Sequence, residues 1–529
     1  MKRDLLKLEE NFFKKRWRGR VPIALIFPNK YELGMANLGF LTLYQRLNQY
    51  EELVCERVFY ERSEIRSIES NRPLRDFPLL LFSIPFEADY INVLRILKDG
   101  GISLEPKERA QTILAGGVAL WANPEPLAPF IDGFLLGEWE ALEEKIIPVF
   151  VEEAFSKDKL IQALSKFEFF YSPAHFEKKR VRVEKVKRPE NPLLSTVLSD
   201  KAKFGRSYLL EVSKGCGRAC RFCLAGFIYR PPRRYSVEAL LEKVKEIPDS
   251  AKVGLIGLEF VDKEEVLKLG ESLLSKKCVL TFSSLRIDAI NEEFLKLLKG
   301  AKSVALAPET ASLRLKRVIN KFIEEEEIYS VLDKLKRAGL KKVKIYFMLG
   351  LPFEEEEDII ETAKFINRLL QRKLPFHFTF TFSFFVPKPH TPFQWAEFNG
   401  ITKLERKRDL LLKEVSGVKG IKFESPKEAF LQALLARGSA DLKEILLKMA
   451  EGAPLKQALS LVKDLERYLS PLQSMEESFP WDIIDIGVSK DFLWREWKRA
   501  QAQKTTPFCK RETCRACSAC KKLYSNSGL

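Results

Sequence analysis

Cys216, Cys220 and Cys223 stand together in the run Ser213-Lys214-Gly215-Cys216-Gly217-Arg218-Ala219-Cys220-Arg221-Phe222-Cys223-Leu224-Ala225-Gly226. Thiolates are soft ligands, and the C-x-x-x-C-x-x-C spacing lets three of them hold three irons of a 4Fe-4S cubane. No fourth cysteine lies nearby, so one iron would stay open to bind another molecule. Gly215 and Gly217 would let the chain bend tightly around the cluster, and Arg218 and Arg221 would offset its negative charge. The alternative reading is a set of buried structural cysteines or an incomplete zinc site.

A second group, Cys509, Cys514, Cys517 and Cys520, packs four thiols into twelve positions. Four thiolates close a tetrahedral zinc site or hold a complete second cubane. A zinc knuckle gripping RNA and an auxiliary iron-sulfur cluster both suit the flanking Lys510, Arg511, Arg515, Lys521 and Lys522, and the cluster is favoured. A closed site has no iron to offer a substrate, so its expected role is secondary: carrying electrons, shaping the site or gripping a substrate. The polar tail is expected to contribute little to the barrel's buried area.

The remaining chemistry-bearing side chains are few. Cys55 and Cys278 sit in apolar contexts that suggest small buried hydrophobes, and His175 and His377 have no evident partners in sequence. His390, between Pro389 and Thr391-Pro392, is a candidate proton donor or ligand, with a rigid loop histidine as the default.

These residues need elements to hold them. A chain of 529 residues that is 46% hydrophobic implies roughly two to four globular domains. No charge-free apolar run reaches about 18 residues, and Met1-Lys2-Arg3-Asp4 does not open a signal peptide, so a cytoplasmic protein without membrane association is expected. Seven of nine cysteines in two tight groups read as metal ligation and not disulfides. The net charge of +16 suits a polyanion such as RNA, or a charged surface that serves thermal stability. In Lys178-Lys179-Arg180-Val181-Arg182-Val183-Glu184-Lys185-Val186-Lys187-Arg188 an extended strand would put most charges on one face, and a solvated edge strand or linker is the favoured reading of it.

Short β-rich runs at Val21 to Phe27, Leu79 to Ile84, Thr112 to Ala115 and Gly133 to Leu136 alternate with amphipathic stretches, which predicts a doubly wound, Rossmann-like domain over residues 1–155. Residues 156–200, rich in charge and proline, read as a linker. From residue 201 to 400 six apolar runs (Tyr208 to Val212, Val253 to Leu258, Val279 to Ser283, Ser303 to Ala307, Val343 to Leu349 and Phe378 to Phe385) are separated by helical patterns. The fold class is therefore α/β: a Rossmann-like domain, then a partial (β/α)6 TIM-type barrel, then a small mostly helical region over 401–505 and a four-cysteine tail over 506–529. Chemistry in such folds gathers at the carboxyl ends of the strands, which is where the first cysteine group falls. Trp481, Trp494 and Trp497 are expected to pack a small cap.

From about Ser207 to Pro392 the chain resembles the radical S-adenosylmethionine superfamily. The resemblance implies that the open iron binds the amino and carboxylate groups of S-adenosylmethionine, which the reduced cluster cleaves to methionine and a 5'-deoxyadenosyl radical. It places Phe222 against the adenine and lets Ala225-Gly226 pass close by. It brings Ser284 and Arg286 of Ser283-Ser284-Leu285-Arg286 toward the ribose or carboxylate, Glu309 of Ala307-Pro308-Glu309-Thr310 toward the ribose hydroxyls, and Gly350 of Phe347-Met348-Leu349-Gly350-Leu351-Pro352 toward the adenine. An ion pair between Arg286 and Glu309 is the bland alternative. The Gly-Gly-Glu common after the second strand is replaced by Gly254-Leu255-Ile256-Gly257-Leu258-Glu259, leaving the amine contact unassigned.

The first domain, from about Val21 to Glu140, resembles the cobalamin-binding domain of one large subfamily, through Tyr31 and Gly34 in Phe27-Pro28-Asn29-Lys30-Tyr31-Glu32-Leu33-Gly34, Gly116-Gly117, and Gly137-Glu138-Trp139-Glu140. The Asp-x-His-x-x-Gly loop that supplies an axial histidine is absent, so cobalamin would be held without one. The resemblance implies an enzyme that methylates or otherwise modifies an unactivated carbon of RNA or protein, served by an electron donor such as ferredoxin or flavodoxin. Methylthiolation, and a non-catalytic iron-sulfur module bound to RNA, are the competing readings.

Overall fold

A computed structural model gives the fold and describes all residues except 1–4, 62–63, 176–179, 258–262, 283–286, 299, 302, 416, 462–463, 510–513, 515 and 525–529, with the side chains of 263 and 289 also outside it. The chain starts with a sheet whose strands are β1 (Val21–Phe27), β2 (Leu53–Phe59), β3 (Leu79–Ser83), β4 (Thr112–Gly116), β5 (Gly133–Leu135) and β6 (Phe170–Tyr171). Their order is β2-β1-β3-β4-β5-β6, parallel except for the antiparallel edge β6. Every residue of β1 is buried, as helices on both faces of a parallel sheet require. Among the covering helices are α1 (Leu38–Gln49), α2 (Tyr90–Asp99) and α3 (Trp139–Glu153). The order reverses between β1 and β3, and a crevice at the strands' carboxyl ends follows from that topology.

Residues 156–200, expected as a linker, are built into the fold. Helix α4 (Lys157–Leu164) packs on α3, β6 closes the sheet, and β7 (Leu194–Ser195) pairs antiparallel with the first barrel strand. Charge misled at Arg182 and Lys185, whose cations are satisfied internally. Val181–Arg182 pairs with Ile484–Asp485, Arg182 donates to the Lys522 carbonyl, and Lys185 is buried with its ammonium on the carbonyls of Arg230 (2.9 Å) and Ile486 (2.6 Å). Burial, with Arg233 nearby, pushes Lys185 down to about 7. Arg182 and Lys185 make this stretch an internal brace, while Arg180, Lys187 and Arg188 stay exposed; Lys178 and Lys179 lie outside the described residues.

The barrel strands are β8 (Tyr208–Glu211), β9 (Lys252–Ile256), β10 (Val279–Phe282), β11 (Ser303–Glu309), β12 (Lys342–Leu349) and β13 (His377–Phe384). Among the described residues they form two parallel sets, β8-β9-β10 and β11-β12-β13, and β14 (Ile421–Phe423) extends the second. In β13 the four phenylalanines are buried and the alternating Thr379, Thr381 and Ser383 are half-buried, the period of two that a strand imposes. Helix α5 (Glu356–Gln371) begins with a capping box between Glu355 and Asp358 and shields β12 and β13.

The helical region bridges the two α/β bodies. Helix α6 (Pro426–Arg437) ends on the Asn123 amide, which donates to the carbonyls of Ala436 and Gly438, and α7 (Lys443–Ala450) lies on α2. The expected tryptophan cap exists: Trp481 stacks on Phe479 at 4.6 Å, Trp494 meets Trp395 edge-on at 5.1 Å, and Trp497 lies on α8 (Lys490–Gln501). His390 belongs to this packing. Burial pushes it down to about 4, its backbone amide donates to Gln394, and its Nε2 is buried without a hydrogen-bond partner among the described residues. Cys55 and Cys278 are buried, as their contexts suggested. Among the described residues no helix is long and apolar enough to cross a membrane.

Candidate active site

The three-cysteine loop leaves the carboxyl end of β8 and is tied at its base, where Ser213–Lys214 pairs antiparallel with Arg233–Arg234. Gly215 takes φ +79°, and a side-chain carbon there would meet the Tyr229 carbonyl at 2.5 Å, so the turn admits only glycine. Cys220 is buried and Cys216 and Cys223 are half-buried. Burial, with the Cys220 thiol beside it, pushes Cys223 up to about 11, against the opposing pull of the Gly226 and Ala225 amides and of Lys321. A thiol in that setting ionises against a strong local cation, which a cluster iron supplies. Among the described residues no three His, Cys, Asp or Glu side chains already stand at metal-ligating distance. The fit to a cluster rests on the donor set, the loop and its place at the strand ends.

The other expected contacts divide. Glu309, at the end of β11 with φ +67°, is paired with Lys321 at 2.7 Å, and Lys321 lies near Cys223, so both stand beside the loop. Phe222 is half-buried against the core shared by the first domain, the barrel's loop side and the helical cap. Ala225 and Gly226 turn their amides toward the Cys223 sulfur, a role the sequence reading did not give them. Ser284 and Arg286 lie outside the described residues, as does Glu259. Gly350 takes φ +81° and donates its amide to Glu354, and a side-chain carbon there would strike Leu404. It serves the turn into α5.

Arg221 does not face the cluster. It is fully buried, and its guanidinium reaches Glu496, the carbonyls of Arg317, Val318 and Lys504, and the Thr506 hydroxyl. Arg218 pairs with Asp288 at 3.2 Å and covers the Phe508 ring at 3.6 Å.

Between the carboxyl edge of the first sheet and the cysteine loop lies a cavity of about 560 Å³. Gly116 and Gly117 line it, as do Gly39, Gly137, Gly215 and Gly257, and its inner wall is Leu43, Leu81, Leu135, Leu142 and Leu193. Gly117 has φ +120° and its backbone lies against the Ile84 carbonyl, so the wall comes close without side chains. Tyr31 and Gly34 are not part of it. The Tyr31 hydroxyl is tied to Glu9 (2.6 Å) and Ser199 (2.7 Å) inside the core, and Gly34 leaves room for Phe59. Both were expected at a cofactor because they follow β1; the chain there turns into the core instead of along the crevice.

Charged residues missed in sequence frame the cavity mouth. Glu138 accepts both guanidinium branches of Arg233 at 2.7 Å. Burial alone would raise its carboxyl, yet Arg233 and Lys214 hold it below the ordinary value. Lys214 sits between Glu140 (2.7 Å) and Glu211 (2.8 Å), which outweigh burial and raise it. The Thr42 hydroxyl and the indole nitrogens of Trp121 and Trp139, all on lining residues, are buried without a hydrogen-bond partner among the described residues. The segment Gly137-Glu138-Trp139-Glu140, which carries part of the resemblance to a cobalamin-binding domain, was the available signal, but the ion pairs of Glu138 and Glu140 are not legible in it.

The tail returns to the loop. The Cys509 amide donates to the Gly217 carbonyl at 2.8 Å, Cys517 and Cys520 are buried, and the Cys517 carbonyl accepts from Ser489. Burial and the neighbouring Cys509, Cys517 and Cys514 thiols push Cys520 up to about 11, while among the described residues no three of these thiols stand at metal-ligating distance.

Residues 39–173 match the family described as radical SAM proteins, N-terminal, and residues 210–366 match the radical SAM superfamily. An uncharacterized protein of Methanocaldococcus jannaschii is 30% identical over 455 residues, spanning 84% of this chain and 95% of that one. A tRNA-2-methylthio-N(6)-dimethylallyladenosine synthase of Anaplasma phagocytophilum is 28% identical over 210 residues, 36% of this chain and 46% of that enzyme. Among solved structures, the radical S-adenosylmethionine methyltransferase TsrM of Kitasatospora setae aligns with TM-score 0.49 and 12% identity over 92% of this chain and 97% of that one. The cobalamin-dependent enzyme OxsB aligns with TM-score 0.47 and 14% identity over 91% and 79%. With both domains matched and one relative similar over nearly its whole length, this chain belongs to the radical SAM superfamily and is a radical S-adenosylmethionine enzyme.

Proposed function

We propose that the protein is a corrinoid-dependent radical S-adenosylmethionine methyltransferase acting on an unactivated carbon of a macromolecule, with RNA as the substrate class. The observation that carries the reading is the glycine-bordered cavity between the first sheet and the cysteine loop. A flat macrocycle needs backbone to approach it without side chains, which Gly116 and Gly117 provide, and its nucleotide tail needs an apolar channel, which the leucine wall provides. Thr42, Trp121 and Trp139 hold unspent donors on the lining, and no histidine lines the cavity, so such a ring would be held by shape and peripheral hydrogen bonds.

When bound, the 4Fe-4S cluster and S-adenosylmethionine supply a 5'-deoxyadenosyl radical, and cobalamin supplies a methyl carrier. Cys216, Cys220 and Cys223 would ligate the cluster, with Ala225 and Gly226 donating to the Cys223 sulfur. Glu309, fixed by Lys321, is an acceptor beside the loop suited to ribose hydroxyls. The Glu138–Arg233 and Lys214–Glu140 pairs match the charges beside the cavity. The net charge of +16 and the tRNA-modifying relatives support RNA, and a ferredoxin or flavodoxin would deliver the electron.

The test is Gly39→Phe. Gly39 borders the cavity and is exposed, and a side-chain carbon there would meet nothing nearer than the Asn37 side chain at 3.5 Å, so a phenyl ring adds bulk at the cavity rim without straining the backbone. After anaerobic loading, corrin absorbance should fall at least about tenfold while 5'-deoxyadenosine formation persists. Failure of the wild type to retain a corrinoid, or equal retention by the variant, would overturn the reading.

A further inference from the structure

We infer that the irregular segment approaching the four-cysteine tail (the strand of chain over residues 502–509) is a working part of the radical-cluster loop, so that metal filling the tail fixes the loop, with Asn320, Arg221 and Thr506 as positioning residues. The inference rests on Cys216, Cys220 and Cys223 being cluster ligands. Three separate ties join the loop to the strand. The Cys509 amide donates to the Gly217 carbonyl at 2.8 Å, which puts the Cys509 Cα within about 5.5 Å of the Gly217 carbonyl carbon. The Asn320 side chain donates to the Ala219 carbonyl and the Thr506 carbonyl, both at 3.1 Å, and accepts from the Thr506 amide at 2.8 Å. Buried Arg221, itself between two of the ligating cysteines, donates to the Lys504 carbonyl (2.6 Å) and the Thr506 hydroxyl (3.2 Å). Asn320 takes φ +54°, a conformation asparagine tolerates better than most residues, so backbone and amide both suit it there.

Magnitudes say why the far end matters. Residues 502–505, 507 and 508, which follow α8, are exposed, so apolar burial does not hold this segment. Its hydrogen bonds are directional, and each is worth about what ordering one residue costs. Such a strand stays in place when its other end is anchored. That end is the group of Cys509, Cys514, Cys517 and Cys520, with Cys517 and Cys520 buried. A metal held by those thiolates closes the anchor, and without it the strand and the cysteine loop loosen together.

Hydrogen exchange at residues 216–223 tests this in the loaded full-length protein, beside metal content and the paramagnetic resonance of the reduced first cluster with and without S-adenosylmethionine. The variants are the double Cys517→Ser/Cys520→Ser, which empties the tail, and Asn320→Gly, which keeps every cysteine and the backbone conformation. Both should exchange about tenfold faster at 216–223, with α5 unchanged, and both should lose part of the S-adenosylmethionine-responsive signal. A double variant that has lost the tail metal yet shows wild-type exchange and signal overturns the inference, as does an unaffected Asn320→Gly. A wild type without any responsive signal overturns instead the assignment of the first three cysteines.

Discussion

The two cysteine groups solve the same problem, holding metal with thiolates, by different means. The three-cysteine loop is scaffolded from outside: a strand pair at its base, a turn that admits only glycine, and Arg221 buried behind it. The four-cysteine tail is held by the rest of the molecule at its far end and at its near end: Cys517, Ala519 and Cys520 are buried, Lys522 pairs with Asp485 at 2.8 Å, and Cys509 bonds Gly217 of the first loop. An incomplete ligand set must be positioned by the protein if one iron is to face a substrate, whereas a complete set organises its own chain when metal binds. The comparison teaches that order flows both ways, with the barrel fixing the loop and the filled tail completing it.

The largest effect separates the two groups directly. Serine at Cys216, Cys220 or Cys223 should remove 5'-deoxyadenosine formation to background and eliminate the open-cubane signal, with the thermal unfolding midpoint little changed because loop residues add little core. Retained cleavage in any of the three would break the division between an open and a closed site.

A smaller effect sharpens the role of the scaffold. Arg221→Met leaves Glu496 buried beside fewer donors and should cost about 3 kcal/mol of stability, read as a drop in the urea midpoint. Because Arg221 reaches both the barrel and Thr506, first-cluster loading should fall with it. A variant as stable as the wild type would show that the buried fan is dispensable.

Much of the architecture was legible because it obeys simple periods. The runs at Val21–Phe27 and Lys342–Leu349 are apolar enough to announce parallel strands. Strand β2 escaped notice because Glu56 and Arg57 interrupt Leu53-Val54-Cys55, and only the fold brings Glu9 and Glu69 within 2.6 and 2.7 Å of that arginine. The linker reading failed for the same reason, since Lys185 looks solvated until two carbonyls are placed on it. The first cysteine loop was readable from spacing. The docking of the tail was not, because a main-chain bond from Cys509 to Gly217 leaves no mark on side-chain identity. The cavity was half-readable: Gly116 and Gly117 showed, but the leucine wall is assembled from five separate stretches of chain.

The central claim is that Cys216, Cys220 and Cys223 hold a cubane whose open iron takes S-adenosylmethionine, and low-temperature paramagnetic resonance of the anaerobically loaded, reduced full-length protein tests it most directly. On adding S-adenosylmethionine, one cubane signal should change its g-values while a signal from a tail cluster, if that site holds iron, stays fixed, and Cys223→Ser should lack the responsive signal alone. A reduced protein with full iron content whose spectrum is unmoved by S-adenosylmethionine would contradict the account.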